Sequence, residues 1–260
     1  MSKSTSGRNS GTYFIIFLIL LVALFFYIHY HRKTLHPADG FPVVAEKPKP
    51  VEITFGQCPP EGEGGDSKLN LLKNRIDAGN YLPVDFDVIE KLPWPPGIER
   101  KKRAQWSGDD ADEIAQYEGT PVVVEGYLAG VKEEGPESPN CRSNEHDFRD
   151  YHMWLTKTAG EERANSIVVE TTPRVRIKHP GWKLSFLRRL SRAGERFRIS
   201  GWVMMDQEHP DQVGKTRGTI WEIHPVMIIE VKQPFGWKSI DDMALPDGHD
   251  TVNEEESENE

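Results

Sequence analysis

The spacing of apolar positions becomes strand-like near residue 120 and stays so to residue 232. This stretch holds five runs rich in β-branched and aromatic residues, separated by glycine, proline or polar turns, and such runs predict strands. Between the third and fourth runs, an apolar stripe at helical spacing ends at Gly194 and predicts a helix over 182–193. The stripe consists of Trp182, Phe186, Leu187 and Leu190. The predicted strands are 121–131, 150–156, 166–170, 196–205 and 219–232.

Shorter helices are predicted ahead of the strands. Asp66 or Ser67 can cap a helix with one apolar face. Ser107, followed by acidic residues, predicts the N-cap of a second helix that ends near residue 117. Between them, residues 81–96 contain four prolines. We expect this segment to pack as an extended strap.

Residues 13–30 are apolar without interruption, apart from His29. At about 1.5 Å per residue, a helix of this length approaches the roughly 30 Å of a bilayer core. A cleaved signal peptide and a buried core helix are the alternatives. The run is long for a signal peptide, lacks a small-residue cleavage site and shows no amphipathic face. We therefore expect a single-pass anchor, with residues 1–12 cytoplasmic and the bulk of the chain periplasmic or extracytoplasmic.

The order strand, strand, strand, helix, strand, strand over residues 120–232 resembles the OB-fold. That fold is a five-stranded Greek-key barrel with a helix between its third and fourth strands. The resemblance implies a mainly β fold with an inserted helix, preceded by a transmembrane helix and short helices. The predicted organisation is a cytoplasmic stub (1–12), a transmembrane helix (13–30), a Pro/Gly-rich spacer (31–66), a helical and strap-like subregion (67–119), an OB-like barrel (120–238) and an acidic disordered tail (239–260).

The acidity of the chain is confined to its C-terminal end. Residues 241–260 contain nine acidic residues and no lysine or arginine, and the chain has a net charge of −9, so residues 1–240 carry no net charge. The acidity therefore predicts a disordered tail and says nothing about the fold.

Cys58 and Cys141 are the only cysteines. An extracytoplasmic location would allow them to pair, but their wide separation in the sequence leaves the pairing open. Neither lies in a Cys-x-x-Cys motif, so thioredoxin-like chemistry and a cysteine zinc site have no support.

Two polar pairs interrupt strands that are otherwise apolar. Asp150 and His152 begin the second predicted strand, and Glu222 and His224 lie in the fifth. Residues two apart on a strand share a face, so each pair projects together. We expect the first, second and fifth strands of the barrel to be near neighbours, which would bring the four residues together, with Glu170 as a fifth candidate. Such a set suits a divalent metal such as Zn²⁺ or general acid–base catalysis. A buried hydrogen-bond network is the alternative, and it needs no ligand.

A second feature is a concentration of basic residues around the predicted helix, which predicts a basic surface. Its members are Arg174, Arg176, Lys183, Arg188, Arg189, Arg192, Lys215 and Arg217. On an OB-fold, basic residues near the aromatic side chains of Trp154, Trp182, Trp202 and Trp221 are typical of single-strand binding. A plain solvated face and a surface for anionic lipid or glycan are the alternatives. An extracytoplasmic domain seldom meets nucleic acid.

The phrases at 69–75, 117–119, 150–152 and 221–225 are also similar to those of uncharacterised bacterial membrane-anchored proteins with an OB-like domain. That resemblance carries no activity. No glycine-rich phosphate loop, Gly-x-Ser-x-Gly elbow or His-Glu-x-x-His motif is present in the sequence. We expect a membrane-anchored binding or scaffolding protein of the bacterial inner membrane that is not an enzyme. The alternatives are a metal-dependent hydrolase that uses Asp150, His152, Glu222 and His224, and a single-stranded nucleic-acid binder.

Overall fold

The computed structural model of the chain describes residues 13–23, 40–42, 44–49 and 55–243. The chain divides into two units, residues 1–39 and residues 40–260. In the first unit, residues 13–23 form helix α1. Among the described residues, no helix combines the length and the apolar character that crossing a membrane requires. The rest of the predicted span, the predicted stub and most of the predicted acidic tail lie outside the described residues.

The second unit contains seven strands and five short α-helices in the part of the chain that the structure describes. In chain order these are α2 (Ser67–Lys73), β1 (Leu82–Pro83), α3 (Phe86–Glu90), α4 (Gly108–Ile114), β2 (Pro121–Glu133), β3 (Tyr151–Thr156), β4 (Ile167–Thr171), α5 (Pro173–Arg176), α6 (Leu184–Arg192), β5 (Arg196–Met205), β6 (Trp221–Gln233) and β7 (Gly236–Ser239). Short 3-10 helices lie at Arg103–Gln105, Ser138–Asn140, His146–Phe148, Arg163–Asn165, Pro210–Gln212 and Ile240–Asp242.

Five of the strands close into a barrel. Their order is β2, β3, β4, β6 and β5, and β5 returns to pair with β2. The β4–β6 pair is parallel, whereas the other pairs of the barrel are antiparallel. The strand β1 adds to β2, and β7 forms a hairpin with β6. The predicted mainly β fold with a five-stranded barrel is thus confirmed, and β1 and β7 are additions to it.

The barrel interior is filled by alternate side chains of its five strands. These inward residues include Val124, Met153, Val169, Ile199 and Ile223, all fully buried. The helix α6 packs against β2, where Ser191 Oγ donates a hydrogen bond to the carbonyl oxygen of Leu128 at 2.8 Å. Because the interior is apolar and filled, polar side chains of the same strands point to the outer face.

The predicted capping residues are found at the helix ends. The Asp66 carboxylate accepts from the backbone N–H of Lys68 at the start of α2, and the Ser107 hydroxyl accepts from the N–H of Asp110 at the start of α4. The predicted strap differs from an extended chain because it contains β1 and α3. Phe86 and Ile89, both buried, lie three residues apart, and this helical spacing seats α3 on the barrel.

The described part of the predicted spacer packs against the barrel unit. The ring of Phe41 lies 5.5 Å from that of Tyr117, and the backbone N–H of Glu46 donates to the carbonyl oxygen of Gly119 at 2.9 Å. Arg75 donates to the carbonyl oxygen of Glu46 at 3.1 Å. These residues therefore belong to the folded unit and do not form a free spacer.

Candidate functional site

Three polar residues form a row across β3, β4 and β6. His152 and Glu170 are cross-strand partners. The parallel register pairs Val169 with Ile223, so the next residues along, Glu170 and His224, are also neighbours. Val169 and Ile223 point into the barrel, and successive side chains of a strand alternate. The row therefore lies on the outer face of the barrel wall.

The strand arrangement corrects one expectation about the two predicted pairs. The fifth barrel strand, β6, does not lie beside the first two, because β4 lies between β3 and β6. Asp150 and His152 nevertheless meet Glu222 and His224 in one buried group. Glu170, on the intervening strand, contacts both histidines. It is the central residue of the site. We call Glu134, Asp150, His152, Glu170, Glu222 and His224 the cluster.

On one side of Glu170, His152 is tightly paired. Its Nδ1 lies 2.5 Å from Glu170 Oε1 and 2.9 Å from Glu134 Oε1. Burial alone would lower the pKa of His152, but the two carboxylates raise it to about 9. Burial would likewise raise the pKa of Glu170, but the neighbouring His152 holds it well below its usual value. This half of the cluster is an imidazolium between carboxylates.

On the other side, His224 is surrounded by carboxylates and makes no hydrogen bond to any of the described residues. Its Nδ1 lies 3.3 Å from Glu170 Oε2 and 3.5 Å from Glu222 Oε2, and its Nε2 lies 3.6 Å from Asp150 Oδ2. Good hydrogen bonds between such atoms measure about 2.7–3.2 Å. Burial raises the pKa of Asp150, and the carboxylates of Glu222 and Glu170 raise the pKa of His224 against the effect of its burial.

The His224 half therefore contains several buried polar atoms that lack a hydrogen bond among the described residues. They are Asp150 Oδ2, Glu170 Oε2, Glu222 Oε2, His224 Nδ1 and His224 Nε2. A native interior leaves only a few such atoms per hundred residues, so five in one place call for a physical explanation.

Glu222 Oε1, the carboxylate oxygen not facing His224, pairs with a second group of charged residues. Arg217 donates to Glu222 Oε1 at 2.7 Å and to Asp206 Oδ2 at 2.9 Å. His209 Nδ1 lies 2.7 Å from Asp206 Oδ2. Arg217 is only 4% exposed, so this residue, predicted to be on the basic surface, instead lies inside the fold.

A disulfide-linked layer covers the cluster. We call α2, with residues 58–62 and 138–141, the cap. Its two loops are joined by the disulfide between Cys58 and Cys141. At the end of α2, its C-cap residue Asn74 donates to the carbonyl oxygens of Pro60 and Pro139 at 2.9 and 2.8 Å. The loops approach so closely that a Cβ on Gly62, which has a φ of 65°, would lie 2.1 Å from the carbonyl oxygen of Ser138.

The cap contacts the cluster through Asn140, and its Lys73 places a positive charge near Glu170 and Glu222. Asn140 donates from Nδ2 to Asp150 Oδ1 at 2.8 Å. Lys73 lies 3.8 Å from Glu137. Burial would lower the pKa of Lys73, but the negative charges around it, led by Glu137, raise the pKa well above its usual value. Arg174 joins helix α5 to the cap, because it donates to the carbonyl oxygens of Cys58 and Pro59 at 2.8 and 2.9 Å.

The predicted basic surface is only partly a surface. Arg174 and Arg217 are buried in the fold. Arg176 is half-buried over the Tyr151 ring and donates to backbone carbonyls, and Arg188 donates to the carbonyl oxygen of Val131. The exposed members are Lys183, Arg189, Arg192 and Lys215. These arginines are buried because a guanidinium group can donate to several backbone carbonyls and carboxylates inside a fold.

Sequence reasoning missed several residues around the cluster. They are Lys73, Glu134, Glu137, Asn140, Asp206 and His209. Lys73 follows buried Leu69 by four residues and so shares its face, which was a readable signal. Asp206 directly follows β5. Glu134 directly follows β2, and Asn140 ends the 3-10 helix Ser138–Asn140. Glu137 and His209 lie in loops, whose course no periodicity specifies.

Two trios within the cluster have the spacing of metal ligands. One is Glu134, His152 and Glu170, and the other is Asp150, Glu170 and His224; in each, one ligand atom per residue lies within 4.8 Å of the others. Two surface depressions, lined by residues 90–94 and by a set that includes Arg163 and Lys215, do not border the cluster. Comparisons with family models, with curated proteins and with solved structures gave no match to this chain.

Proposed function

We propose that this chain is a single-pass membrane-anchored protein whose OB-like barrel serves binding or scaffolding on the outer side of a bacterial inner membrane. The observation that carries the non-catalytic part is the enclosure of the cluster. Asp150, His152, Glu170, Glu222 and His224 are each at most 7% exposed beneath the disulfide-linked cap. A hydrolase needs its substrate within hydrogen-bond reach of the acting groups. Binding therefore falls to the exposed surface.

The strand order supports the OB-like assignment. Numbered within the barrel, the five strands run 1-2-3-5-4 and close from the fourth back to the first. The helix α6 lies between the third and fourth strands. A five-stranded Greek-key barrel with a helix in this position is the OB arrangement.

Two observations support the location. The disulfide between Cys58 and Cys141 is of a kind that persists in oxidising compartments. The large apolar side chains of α1, from Tyr13 to Val22, are each at least 46% exposed, and such a surface calls for a lipid or protein partner. Together with the apolar sequence to residue 30, they favour an anchor that leaves the barrel outside the cytoplasm.

The single-stranded nucleic-acid alternative loses its binding groups. It needs stacking platforms beside a basic groove. Trp154, Trp182, Trp202 and Trp221 are each at most 6% exposed, so none offers an open ring face. The exposed cations on α6 instead suit the anionic headgroups of a nearby bilayer, which attract each basic residue by about 1 kcal/mol.

Enzymatic assay of the full-length purified chain tests the non-catalytic reading. We expect no hydrolysis of phosphodiester or ester substrates, with or without added Zn²⁺, above that of Asp150→Asn. Saturable turnover in the wild type that disappears in Asp150→Asn would establish the hydrolase alternative.

A reporter fused after Glu260 tests the location. We expect activity from an alkaline phosphatase-type reporter, which folds only outside the cytoplasm, and no signal from a reporter that matures only inside it. The opposite pattern would contradict the proposed orientation.

Hydrogen exchange in reconstituted vesicles tests the partner. We expect α6 to exchange more slowly in anionic than in neutral vesicles, and the difference to disappear in Arg189→Glu/Arg192→Glu but to persist in Lys101→Glu, a charge reversal at another exposed position. Equal exchange in both kinds of vesicle would exclude lipid headgroups as the partner.

A further inference from the structure

We propose that Asp150, Glu170 and His224 bind one divalent metal ion of the zinc class, held inside the fold between the outer face of the barrel and the cap. We call these residues the ligand trio. The inference goes beyond binding at the exposed surface, because it concerns an interior site with a structural role. A closed site with nitrogen and oxygen ligands is typical of structural zinc.

The separations within the trio are those of ligands that share an ion. His224 Nε2 lies 3.6 Å from Asp150 Oδ2, and the trio offers one atom from each residue within 4.8 Å of the others. Zinc bonds to nitrogen and oxygen measure about 2.0–2.2 Å, so two ligands at a tetrahedral angle lie ~3.4 Å apart. The observed separation is too long for a hydrogen bond and close to this value.

The atoms available for the ion are those that lack another partner. Asp150 Oδ2, Glu170 Oε2 and His224 Nε2 make no hydrogen bond among the described residues, and Asp150 and His224 are at most 1% exposed. Leaving a buried carboxylate or imidazole unpaired costs about 1–3 kcal/mol for each group, and more where the group is charged. A cation at this point would satisfy all three atoms together.

The other carboxylate oxygens of two ligands are oriented by further residues. Asn140 donates to Asp150 Oδ1 at 2.8 Å, and His152 Nδ1 lies 2.5 Å from Glu170 Oε1. Metal-binding histidines and carboxylates are normally held in this way by a second layer of polar groups. Glu222 Oε2 lies 3.5 Å from His224 Nδ1, beyond the length of a hydrogen bond. Nδ1 lies 3.3 Å from Glu170 Oε2 and Nε2 lies 3.6 Å from Asp150 Oδ2, so each imidazole nitrogen faces one carboxylate of the trio and either can bind the ion.

The neighbouring trio of Glu134, His152 and Glu170 carries no such proposal. Its imidazole already makes contacts of 2.5 and 2.9 Å with the two carboxylates, which are hydrogen-bond lengths. An ion at this place would have to displace a proton that two carboxylates stabilise. The inference is therefore confined to the His224 side.

Metal analysis of the full-length chain, purified in detergent after growth with Zn²⁺ or Co²⁺, tests the proposal. We expect one ion per chain in the wild type, its loss in His224→Gln and Asp150→Asn, and its retention in His146→Gln, a control histidine that is 81% exposed. We also expect a chelator to lower the melting temperature of the wild type and to leave that of Asp150→Asn unchanged.

Asp150→Asn guards against misfolding, because an asparagine oxygen can still accept from Asn140. Far-ultraviolet circular dichroism and an intact disulfide certify its fold. Metal content in Asp150→Asn equal to that of the wild type would overturn the proposal by placing the ion elsewhere. A wild type that binds neither ion, with a melting temperature indifferent to both, would also overturn it. Neither result bears on the compartment in which the barrel lies, because the reporter fusion tests that separately.

Discussion

His152 and His224 flank the same carboxylate, yet they differ in what surrounds them. His152 has two carboxylate oxygens within 2.9 Å. His224 has three carboxylates near it, but none closer than 3.3 Å. Both histidines are buried and both lie among carboxylates. They differ in distance: His152 lies at hydrogen-bond length from its carboxylates and His224 does not. The comparison teaches that two adjacent histidines of one polar row can serve different purposes.

The sequence left two interpretations open, a buried hydrogen-bond network and a metal site, and each describes one side of Glu170. The buried hydrogen-bond network describes the His152 side, where Nδ1 lies at hydrogen-bond length from two carboxylates and Nε2 alone lacks a partner among the described residues. The metal site describes the His224 side, where orphaned atoms converge. Glu170 belongs to both, with Oε1 facing one histidine and Oε2 facing the other.

Removing the shared charge has the largest expected effect. Glu170→Gln leaves the His152 imidazolium beside only Glu134 and removes one of the three residues proposed to bind the ion with His224. Breaking a buried ion pair by neutralising one partner costs about 3–5 kcal/mol. We expect a loss of this size in the free energy of unfolding, measured by denaturant titration of the full-length chain. Glu145→Gln, at an exposed acid, is the control and should change stability by less than about 0.5 kcal/mol. Equal effects of the two substitutions would mean that the Glu170 carboxylate does not stabilise the contacts with His152 and His224.

Removing the disulfide of the cap should affect the His224 side more than the His152 side, and this is the second largest expected effect. Cys58→Ser/Cys141→Ser removes a disulfide that spans 83 residues, and such a loss typically costs about 2–4 kcal/mol. The cap reaches the His224 side directly, because Asn140 donates to Asp150. We expect hydrogen exchange to rise in α2 and in residues 138–141, with metal retention weakened and β4 still protected. Unchanged exchange in α2 would show that the disulfide does not hold the cap.

A matched pair of carboxylate substitutions sharpens the comparison. Glu222 faces His224 and Glu134 faces His152, and each can be changed to glutamine with its shape preserved. Loss of a residue that orients a metal ligand costs about 10–100-fold in affinity. We expect Glu222→Gln to weaken metal affinity by that factor in competition with a chelating dye, and Glu134→Gln to leave it unchanged. Equal weakening by both would place the ion between the two histidines.

Much of the fold could be predicted from the sequence, because its signals are local. The five strand runs, the α6 stripe and the caps at Asp66 and Ser107 all report on neighbouring residues, and each has a counterpart in the structure. The order of strands and helix along the chain follows from the same local signals. The hairpin strand β7 and the short α3 were missed, since a few residues give too little periodicity.

The site could be predicted only as candidates. Spacing along a strand placed Glu222 with His224, and Asp150 with His152, on common faces. It did not show that β4 separates the two strands, which makes Glu170 central. Nor did it show the cap, whose contacts join residues as distant as Asn74 and Pro139. Such long-range contacts depend on packing, which the sequence of one chain does not display.

A third histidine offers the smallest and most specific test. His209 is half-exposed and pairs with buried Asp206, whose hydrogen bond raises the pKa of His209. Glu222 adds to this rise and Arg217 opposes it. The pKa of Asp206 is held below its usual value, although burial opposes this. The pair is therefore charged between the ordinary pKa of aspartate, about 4, and the raised pKa of His209.

The sign of the resulting pH dependence follows from the raised pKa. A group whose pKa is higher in the folded state stabilises the fold below its unfolded pKa of about 6.5, and that stability is lost as the pH rises through the folded pKa. We expect wild type to exceed His209→Asn in free energy of unfolding by no more than about 1 kcal/mol near pH 6, because exposure screens the pair. The difference should disappear at alkaline pH, in denaturant titrations repeated across the range. A difference that grows with pH would mean that His209 stabilises the fold as a neutral ring, and would set it apart from His152, which is held between carboxylates as a cation.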